Sequence, residues 1–366
     1  MTLRDRARGC LLGLAAGDAL GAPAENLTPS EIRRRWGRLT EIEGGGTDDT
    51  EYAIFAASLL VRHGHALTSE DVAAAYRELI LPRIAGPMRG AGFSELGTVE
   101  ALRRGLEPPL TGLVHAHGWS DGLAMRAAPY GIFCPGDPAE AARLVEQDGL
   151  VSAAGEGITG GRAVAGAVAA AMGGAAPDEV VAAALAVIPP DSWTARNIVR
   201  VRDVLGRTSA AVADAHADGP AGPAAGPAAD SAAGPGPAAA ADADFDAGAA
   251  RSADAGGQAV VEALHEAVVV RHYPWTDVAP EAVALAFAAF LAGGGDVEAS
   301  VTFGVSLGRD ADTIGAIAGA VAGAGRGESG VPRRWAGSIG PVTGKCLPVV
   351  AGRHVLDVAD ELAERL

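Results

Sequence analysis

Two stretches of the chain carry glycine at every fourth position within otherwise apolar, alanine-rich sequence. These glycines are Gly9, Gly13, Gly17 and Gly21 in the first stretch, and Gly315, Gly319 and Gly323 in the second. On an α-helix this spacing places the glycines of each stretch along one face. Each glycine inside a helix costs about 1 kcal/mol relative to alanine, so we expect close packing to offset that cost. The pattern predicts two helices whose backbones approach a neighbour closely and form a rigid floor for a site.

The rest of the sequence also favours helices. Thr28, Pro29 and Glu31 are typical of a helix start, with a capping residue, a proline at the first helical position and a glutamate three residues after the cap. Further stretches with apolar residues spaced by three and four follow Ser69, Pro138, Pro177 and Pro280. Aromatic residues make up only 4% of the chain, which disfavours a large β-sandwich or barrel. We therefore expect an all-α fold.

One segment does not fit a helical core. Between positions 217 and 244, 23 of 28 residues are alanine, glycine or proline, with repeated Gly-Pro pairs. Such pairs break both helices and strands, and the segment has little apolar bulk to bury. Because loops tolerate long insertions at small entropic cost, we predict a single domain over 1–366 that is interrupted by a disordered, low-complexity insertion at about 208–256. A binding arm is the alternative interpretation of this insertion.

The charge balance restricts which molecules the protein is expected to bind. A net charge of −16 argues against nucleic-acid binding, and an anionic substrate would require local cations, from arginines or bound metal, to offset the repulsion. The three scattered cysteines form no CxxC motif, so we expect neither disulfides nor zinc, and a cytoplasmic location. The apolar run after Arg8 resembles a secretion signal, but Asp18 interrupts it after about nine residues, so we expect no targeting segment and no membrane association.

Two acidic clusters lie where a glycine-bearing loop enters an apolar helix. The first contains Thr47, Asp48 and Asp49, and the second contains Asp310, Asp312 and Thr313. Helix capping explains one or two residues of each cluster, but not the crowding of like charges. The alternative is that the clusters converge on hard cations, because ligands that are all oxygen select Mg²⁺, Mn²⁺ or Ca²⁺ over zinc. Bridging carboxylates would then create a two-metal site. The residues alone leave both interpretations open.

A third stretch of interest runs from His115 to Arg126. Its centre consists of Gly118, Trp119, Ser120, Asp121 and Gly122. The backbone amides of such a loop can hold a phosphate, with Arg126 nearby. An ordinary surface turn explains the same composition.

At these motifs the chain resembles the ADP-ribosylglycohydrolase family. The matching segments are GCLLGLAAGDALGAPAE at 9–25, GGTDDTEYA at 45–53, AMRAAPYGIF at 124–133 and SLGRDADTIGAIAGAVAGA at 306–324. The resemblance implies an orthogonally packed, all-helical domain with two Mg²⁺ ions, or Mn²⁺, at the base of a cleft. It also implies hydrolysis of an ADP-ribosyl N- or O-glycosidic bond, with an ADP-ribosylated protein or a small ribosyl compound as substrate. Hydrolysis of another ribosyl or nucleoside-like glycoside, and ADP-ribose binding without catalysis, are the alternatives.

The resemblance also assigns roles by motif position. The implied metal ligands are Thr47, Asp48, Asp49, Asp310, Asp312 and Thr313. Glu25 matches a glutamate that shields or gates the metal site in some members, and the loop from Gly118 to Gly122 lies where members contact ADP-ribose. Asp48, Asp49 or Asp310 would orient the attacking water, and the sequence does not choose among them.

Three positions depart from the family pattern. Ala153 and Thr159 stand where many bacterial members have histidine and tyrosine, and Arg309 occupies a position that is often glycine. The first two changes imply that the distal part of the substrate is held differently or is itself different. Arg309 is expected to add a cation at the mouth of the acidic site.

Overall fold

The structure is a computed structural model that describes residues 1–84, 90–217 and 257–366. Within these ranges the secondary structure is helical, without β-strands, and one isolated backbone bridge joins Ser120 to Val278. The predicted all-α fold is confirmed. None of the described helices combines the length and the apolar character that crossing a bilayer requires.

The helices are numbered in chain order. They are α1 (Leu3–Gly21), α2 (Pro29–Trp36), α3 (Asp48–His63), α4 (Ser69–Ala75), α5 (Phe93–Arg103), α6 (Leu110–Leu113), α7 (Gly122–Met125), α8 (Ala128–Phe133), α9 (Pro138–Ser152), α10 (Glu156–Met172), α11 (Pro177–Ala186), α12 (Trp193–Ala217), α13 (257–268), α14 (Ala279–Ala292), α15 (Val297–Ser306), α16 (Ala311–Arg326), α17 (Arg333–Ser338) and α18 (Val355–Ala363). A π-helical segment, Tyr76–Ile80, continues α4. Short 3-10 turns occupy Ala22–Ala24, Gly64–Ala66, Leu81–Arg83, Glu328–Gly330 and Pro348–Val350.

Helices α1 and α16 form an antiparallel pair at the centre of the fold, and their glycine faces meet. A Cβ atom added to Gly13 would lie 2.2 Å from the carbonyl oxygen of Gly319, and one added to Gly17 would lie 2.1 Å from that of Gly315. These contacts are between backbones, which cannot move aside as a flexible side chain can. The close approach predicted from the glycine spacing is confirmed. It places the end of α1 beside the start of α16.

The surrounding helices bury this pair. Helices α10 and α14 are buried along most of their length, and their alanines and valines pack into the same apolar core as α1 and α16. Helix α3 contacts α1, α8 and α18. Its first turn therefore lies next to the ends of α1 and α16, where the acidic motifs of the sequence are located.

The start of the predicted insertion lies within a helix. Helix α12 continues to Ala217, so the first ten residues of the predicted insertion, 208–217, are helical. Those residues are rich in alanine and contain neither glycine nor proline, which lets the helix continue. Positions 218–256 lie outside the described residues, and their disorder stays a prediction.

Candidate active site

The two acidic clusters lie in one cleft of about 500 Å³. The hydroxyl of Thr313, on α16, donates a hydrogen bond to the Asp49 carboxylate, on α3, over 3.3 Å. The described carboxylates that line the cleft are Glu25, Asp48, Asp49, Glu95, Asp121, Asp277, Asp310 and Asp312. Folding thus brings together oxygen atoms from two motifs that are more than 260 positions apart along the chain.

The first cluster is positioned by two caps at the start of α3. The Thr47 hydroxyl accepts the amide of Asp49 over 3.4 Å. Asp18, fully buried on α1, accepts the amides of Thr47 at 2.9 Å and of Thr50 at 3.2 Å. The side chains of Thr47 and Asp18 thus accept the amides that have no partner within the helix at its first turn. The carboxylates of Asp48 and Asp49 are not needed as caps, so capping does not explain their presence.

The second cluster follows a tight turn before α16. Gly308 and Arg309 have φ of 65° and 60°, the left-handed region that favours glycine. The Arg309 amide donates to the Leu27 carbonyl over 3.1 Å, and the Asn26 amide donates to the Arg309 carbonyl over 2.8 Å. This pairing joins the turn to the segment that carries Glu25. Asp310 is the N-cap residue of α16, yet its side chain makes no capping hydrogen bond.

Among the described residues, no cation forms an ion pair with Asp48, Asp49 or Asp312. Burial, followed by the charges of neighbouring carboxylates, raises the pKa of these three groups well above the usual value. Within the described ranges, Asp49 Oδ2, Asp121 Oδ2 and Asp312 Oδ1 are buried without a hydrogen-bond partner. Buried oxygens of this kind are costly unless a donor or a cation satisfies them.

The donor set fits a hard cation, because it consists of carboxylates and hydroxyls. Across the described ranges, however, no group of three or more His, Cys, Asp and Glu side chains already surrounds a common ion position. The fit therefore rests on the ligand type, on the unpartnered oxygens of Asp49 and Asp312, and on the convergence of the two motifs.

The predicted substrate loop only partly faces this cleft. Ser120, Asp121 and Gly122 line it, whereas Gly118 and Trp119 do not. Gly118 is buried, and its carbonyl accepts the amide of Ala154 over 2.7 Å. The first half of the loop therefore packs against the segment around Ala154, and the second half lines the cleft.

Arg126 is not available to a phosphate, and binding of a phosphate by the backbone amides of the loop stays a prediction. Its guanidinium is fully buried and donates to both carboxylate oxygens of Asp148, at 2.9 and 3.1 Å. It also donates to Glu95 at 2.8 Å, to the Ser152 hydroxyl at 2.6 Å and to the Gly122 carbonyl at 2.9 Å. All five N–H groups are thereby used. Arg126 instead holds Glu95 and Gly122, two residues of the cleft wall, in place.

The three departures from the family pattern lie outside the cleft lining. Ala153 is buried, and the Thr159 hydroxyl donates to the carbonyl of Gly155, the residue just before its helix. The Arg309 guanidinium forms an ion pair with the buried carboxylate of Glu281 and also donates to the Trp275 carbonyl. The charge of Arg309 is thus compensated by Glu281, and Arg309 is not among the described residues that line the cleft.

Several residues of the cleft region escaped the sequence interpretation. Asp18, Glu95, Asp277 and Lys345 carry charge in or beside the cleft. Asp18 could have been found because it is the only acidic residue in the glycine-spaced stretch from Gly9 to Gly21. Lys345 could have been found because it is the only lysine in the sequence. Glu95 has no comparable signal, since it lies in an ordinary amphipathic stretch.

Aromatic side chains form one rim of the cleft. Phe93 and Trp275 line it and are 44% and 41% exposed. The Phe93 ring stacks on His117 with centroids 4.7 Å apart, and Trp275 meets Tyr273 edge-on at 5.3 Å. The signal in the sequence was the local density of large residues at 273–277 in a chain with few aromatics.

Comparison with known proteins points to one family. The whole chain, residues 1–366, matches the model of the family described as ADP-ribosylglycohydrolase. The chain is 32% identical over 149 residues to the ADP-ribosyl-[dinitrogen reductase] glycohydrolase of Rhodospirillum rubrum, a match that covers 38% of this chain and 48% of that protein. It is 31% identical over 181 residues to an uncharacterized protein of Archaeoglobus fulgidus, covering 46% of this chain and 55% of that protein. The chain thus spans about half the length of the curated relatives it matches.

A solved structure supports the fold. It is described as an ADP-ribosylglycohydrolase-related protein complex and is 22% identical in sequence to this chain. The TM-score is 0.58, with 99% of this chain and 97% of that chain covered. At this level of identity the likeness concerns the fold alone.

Proposed function

The chain belongs to the ADP-ribosylglycohydrolase family, and we propose that it hydrolyses an ADP-ribosyl N- or O-glycosidic bond with the help of two Mg²⁺ ions, or Mn²⁺. The observation that carries the proposal is the meeting of the two acidic motifs in one cleft. The Thr313 hydroxyl contacts Asp49, and one buried oxygen of each of Asp49 and Asp312 has no hydrogen-bond partner in the part of the chain that the structure describes. Repulsion among these carboxylates is what bound cations would offset.

The residues proposed to hold the ions come from the two helix starts. They are Thr47, Asp48, Asp49, Asp310, Asp312 and Thr313. When bound, the ions supply positive charge that fixes ribose hydroxyl groups and increases the acidity of water. The caps made by Thr47 and Asp18 keep the first turn of α3 in place, and the turn at Gly308 and Arg309 does the same for α16.

The carboxylates also suit the chemistry at the sugar. Cleavage of a ribosyl bond passes through an oxocarbenium-like state, which nearby negative charge stabilises. Asp48, Asp49 and Asp310 are the candidates for orienting the attacking water. Asp48 is held by the amide of Gly92, which donates to its Oδ2 over 3.1 Å. Glu25 is exposed on the cleft lining and is proposed to shield the mouth.

An ADP-ribosylated protein or a small ribosyl compound is the proposed substrate. The Rhodospirillum relative is named for an ADP-ribosylated protein, and the cleft of this chain is open on the side of Phe93 and Trp275. An open rim leaves room for a large leaving group next to the sugar.

The test compares substrates directly. The protein is incubated with ADP-ribosyl-arginine peptides, ADP-ribosyl-serine peptides and simple nucleosides, each with Mg²⁺ and with a chelator, and released ADP-ribose or base is measured. We expect metal-dependent release from at least one ADP-ribosyl peptide. Turnover of nucleosides alone would identify a different ribosyl hydrolase. Tight ADP-ribose binding without any turnover would contradict an enzyme role and leave a binding protein.

A further inference from the structure

Lys345 is the only lysine in this chain, against 28 arginines. It lies on the lining of the candidate active site. The eight carboxylates of that lining make the cleft strongly negative, and Lys345 is the single cation among the described residues that line it. The position of this lysine, among eight carboxylates, suggests that its positive charge has a role in the cleft.

Within the described parts of the chain, the ammonium group of Lys345 takes part in no ion pair, whereas Arg309 is paired with Glu281. A Cβ atom added to Gly90 would lie 3.9 Å from Lys345 Nζ. The side chain thus lies against Gly90, two residues before Gly92, whose amide donates to Asp48.

The backbone beneath this side chain is fixed by a buried carboxylate. Glu51, on α3, accepts the amides of Lys345 at 2.9 Å, of Cys346 at 2.9 Å and of Leu347 at 2.6 Å. Glu51 is only 3% exposed. Because Glu51 lies one turn after Asp48 on the same helix, the loop that carries Lys345 is tied to the helix that carries the first acidic motif.

We propose that Lys345 binds a phosphate or diphosphate group of the substrate and so selects phosphorylated ribosyl glycosides over neutral ones. The proposed ions are assigned to the ribose hydroxyl groups, so a phosphate entering the same carboxylate-lined cleft, in a chain of net charge −16, requires a further local cation. Lysine is a common point-charge ligand of phosphate. Arg126 is fully used in the interior, so it cannot supply that charge. This inference rests on the proposed function for the ribosyl end of the ligand.

The single lysine permits a direct footprinting test. The intact protein is treated with a limiting amount of an acetylating reagent, and acetylation of Lys345 is followed by peptide mass spectrometry. We expect ADP-ribose and inorganic pyrophosphate, each with Mg²⁺, to slow acetylation of Lys345, and ribose to leave it unchanged. The amino group of Met1, at the exposed end of the chain, is the internal control. Equal acetylation with and without pyrophosphate and ADP-ribose would overturn the proposal.

Substitution gives the second arm of the test. Lys345→Gln is expected to weaken ADP-ribose binding, measured by calorimetry with Mg²⁺, by about tenfold or more, and Lys345→Arg to restore most of it. Ribose binding should not change. Arg62→Gln is the matched control, because this arginine is 59% exposed and lies at the far end of α3. Equal weakening of ADP-ribose and ribose would mean that Lys345 merely balances the carboxylates, and would refute a phosphate contact.

The two proposals fail in different ways. Protection of Lys345 by pyrophosphate does not depend on cleavage of any glycoside. If no ribosyl glycoside is hydrolysed while pyrophosphate still protects Lys345, the proposed function fails and the phosphate site stands. If ADP-ribosyl peptides are hydrolysed while Lys345→Gln leaves ADP-ribose binding unchanged, the proposed function stands and the phosphate site fails.

Discussion

At the scale of single residues, the site depends on groups whose role is to position others. Asp18 lies on α1, is fully buried, and contributes its carboxylate to the amides at the start of α3. Burial raises the pKa of Asp18, while hydrogen bonds from Thr50 and Thr47 act in the opposite direction. This one side chain links the glycine-striped helix to the turn that carries Asp48 and Asp49.

Replacing Asp18 by alanine should therefore destabilise the fold and disturb the site together. The amides of Thr47 and Thr50 would lose their partner, which costs about 1–3 kcal/mol for a buried donor. Urea unfolding measures the stability, and calorimetric titration with Mg²⁺ measures the site. Asp296→Ala is the matched control, since Asp296 caps α15 by accepting the Ala299 amide. A loss of stability with unaltered Mg²⁺ affinity would contradict a positioning role.

The second acidic motif offers the most direct test of the proposed ions. Asp310→Ala and Asp312→Ala are each expected to abolish saturable Mg²⁺ or Mn²⁺ binding, because hard cations require carboxylate oxygens. Both carboxylates line the cleft, and one oxygen of Asp312 is buried without a partner. Isothermal calorimetry gives the affinity. Asp178→Ala removes a carboxylate that is 82% exposed and should change nothing. Undiminished binding in both cleft variants would remove the metal hypothesis.

At the scale of elements, two helices that lack side chains on their facing surfaces form the floor of the site. The cost of placing glycine in α1 and α16 is offset by contact between their backbones along Gly9–Gly21 and Gly315–Gly323. Because this contact has no flexible side chain in it, the distance between the two helix ends is tightly set. The positions of the first turns of α3 and α16 are fixed in the same way, because α16 is part of this contact and Asp18 of α1 caps α3.

A single methyl group at this contact should be very costly. Gly13→Ala puts a Cβ atom 2.2 Å from the Gly319 carbonyl oxygen, so the helices must separate. Overpacking typically costs about 1–3 kcal/mol and sometimes more, and we expect at least the upper value here. Gly206→Ala in α12 is the control, because no atom of the described residues lies within 4 Å of its Cβ position. That variant should gain up to about 1 kcal/mol. The unfolding temperatures of both variants are measured by thermal unfolding. Equal stability of Gly13→Ala and Gly206→Ala would refute the close contact between the helices.

At the scale of the whole molecule, we expect the candidate cleft to work without the low-complexity insertion that the sequence predicts. The residues that line the cleft come from 25–49, 90–125, 274–277, 310–313 and 345. Positions 218–256 of the predicted insertion lie outside the described residues, so its separation from the cleft stays a prediction.

Deletion of residues 218–244 should accordingly leave activity within about twofold, because a shorter connection changes the closure entropy only slightly. The measurement is kcat/KM on the substrate found for the full chain, with the unfolding midpoint as a check on the fold. A large loss of activity at unchanged stability would show that the segment is a binding arm rather than an insertion.

The sequence by itself determined the properties that depend on neighbouring residues. Helix periodicity, the cap at Thr28 and the glycine spacing of α1 and α16 are local patterns, and the structure confirms each of them. The motif resemblance also pointed to the family that the comparisons show.

Only the tertiary structure decided which distant groups meet. Arg126 is a buried structural cation, and Arg309 pairs with Glu281. Lys345 lies on the wall of the cleft. Charged side chains are long, and their partners depend on packing among helices that are far apart in sequence. Local patterns carry no information about such contacts, because the same residue can be solvated, paired or buried according to what the fold brings beside it.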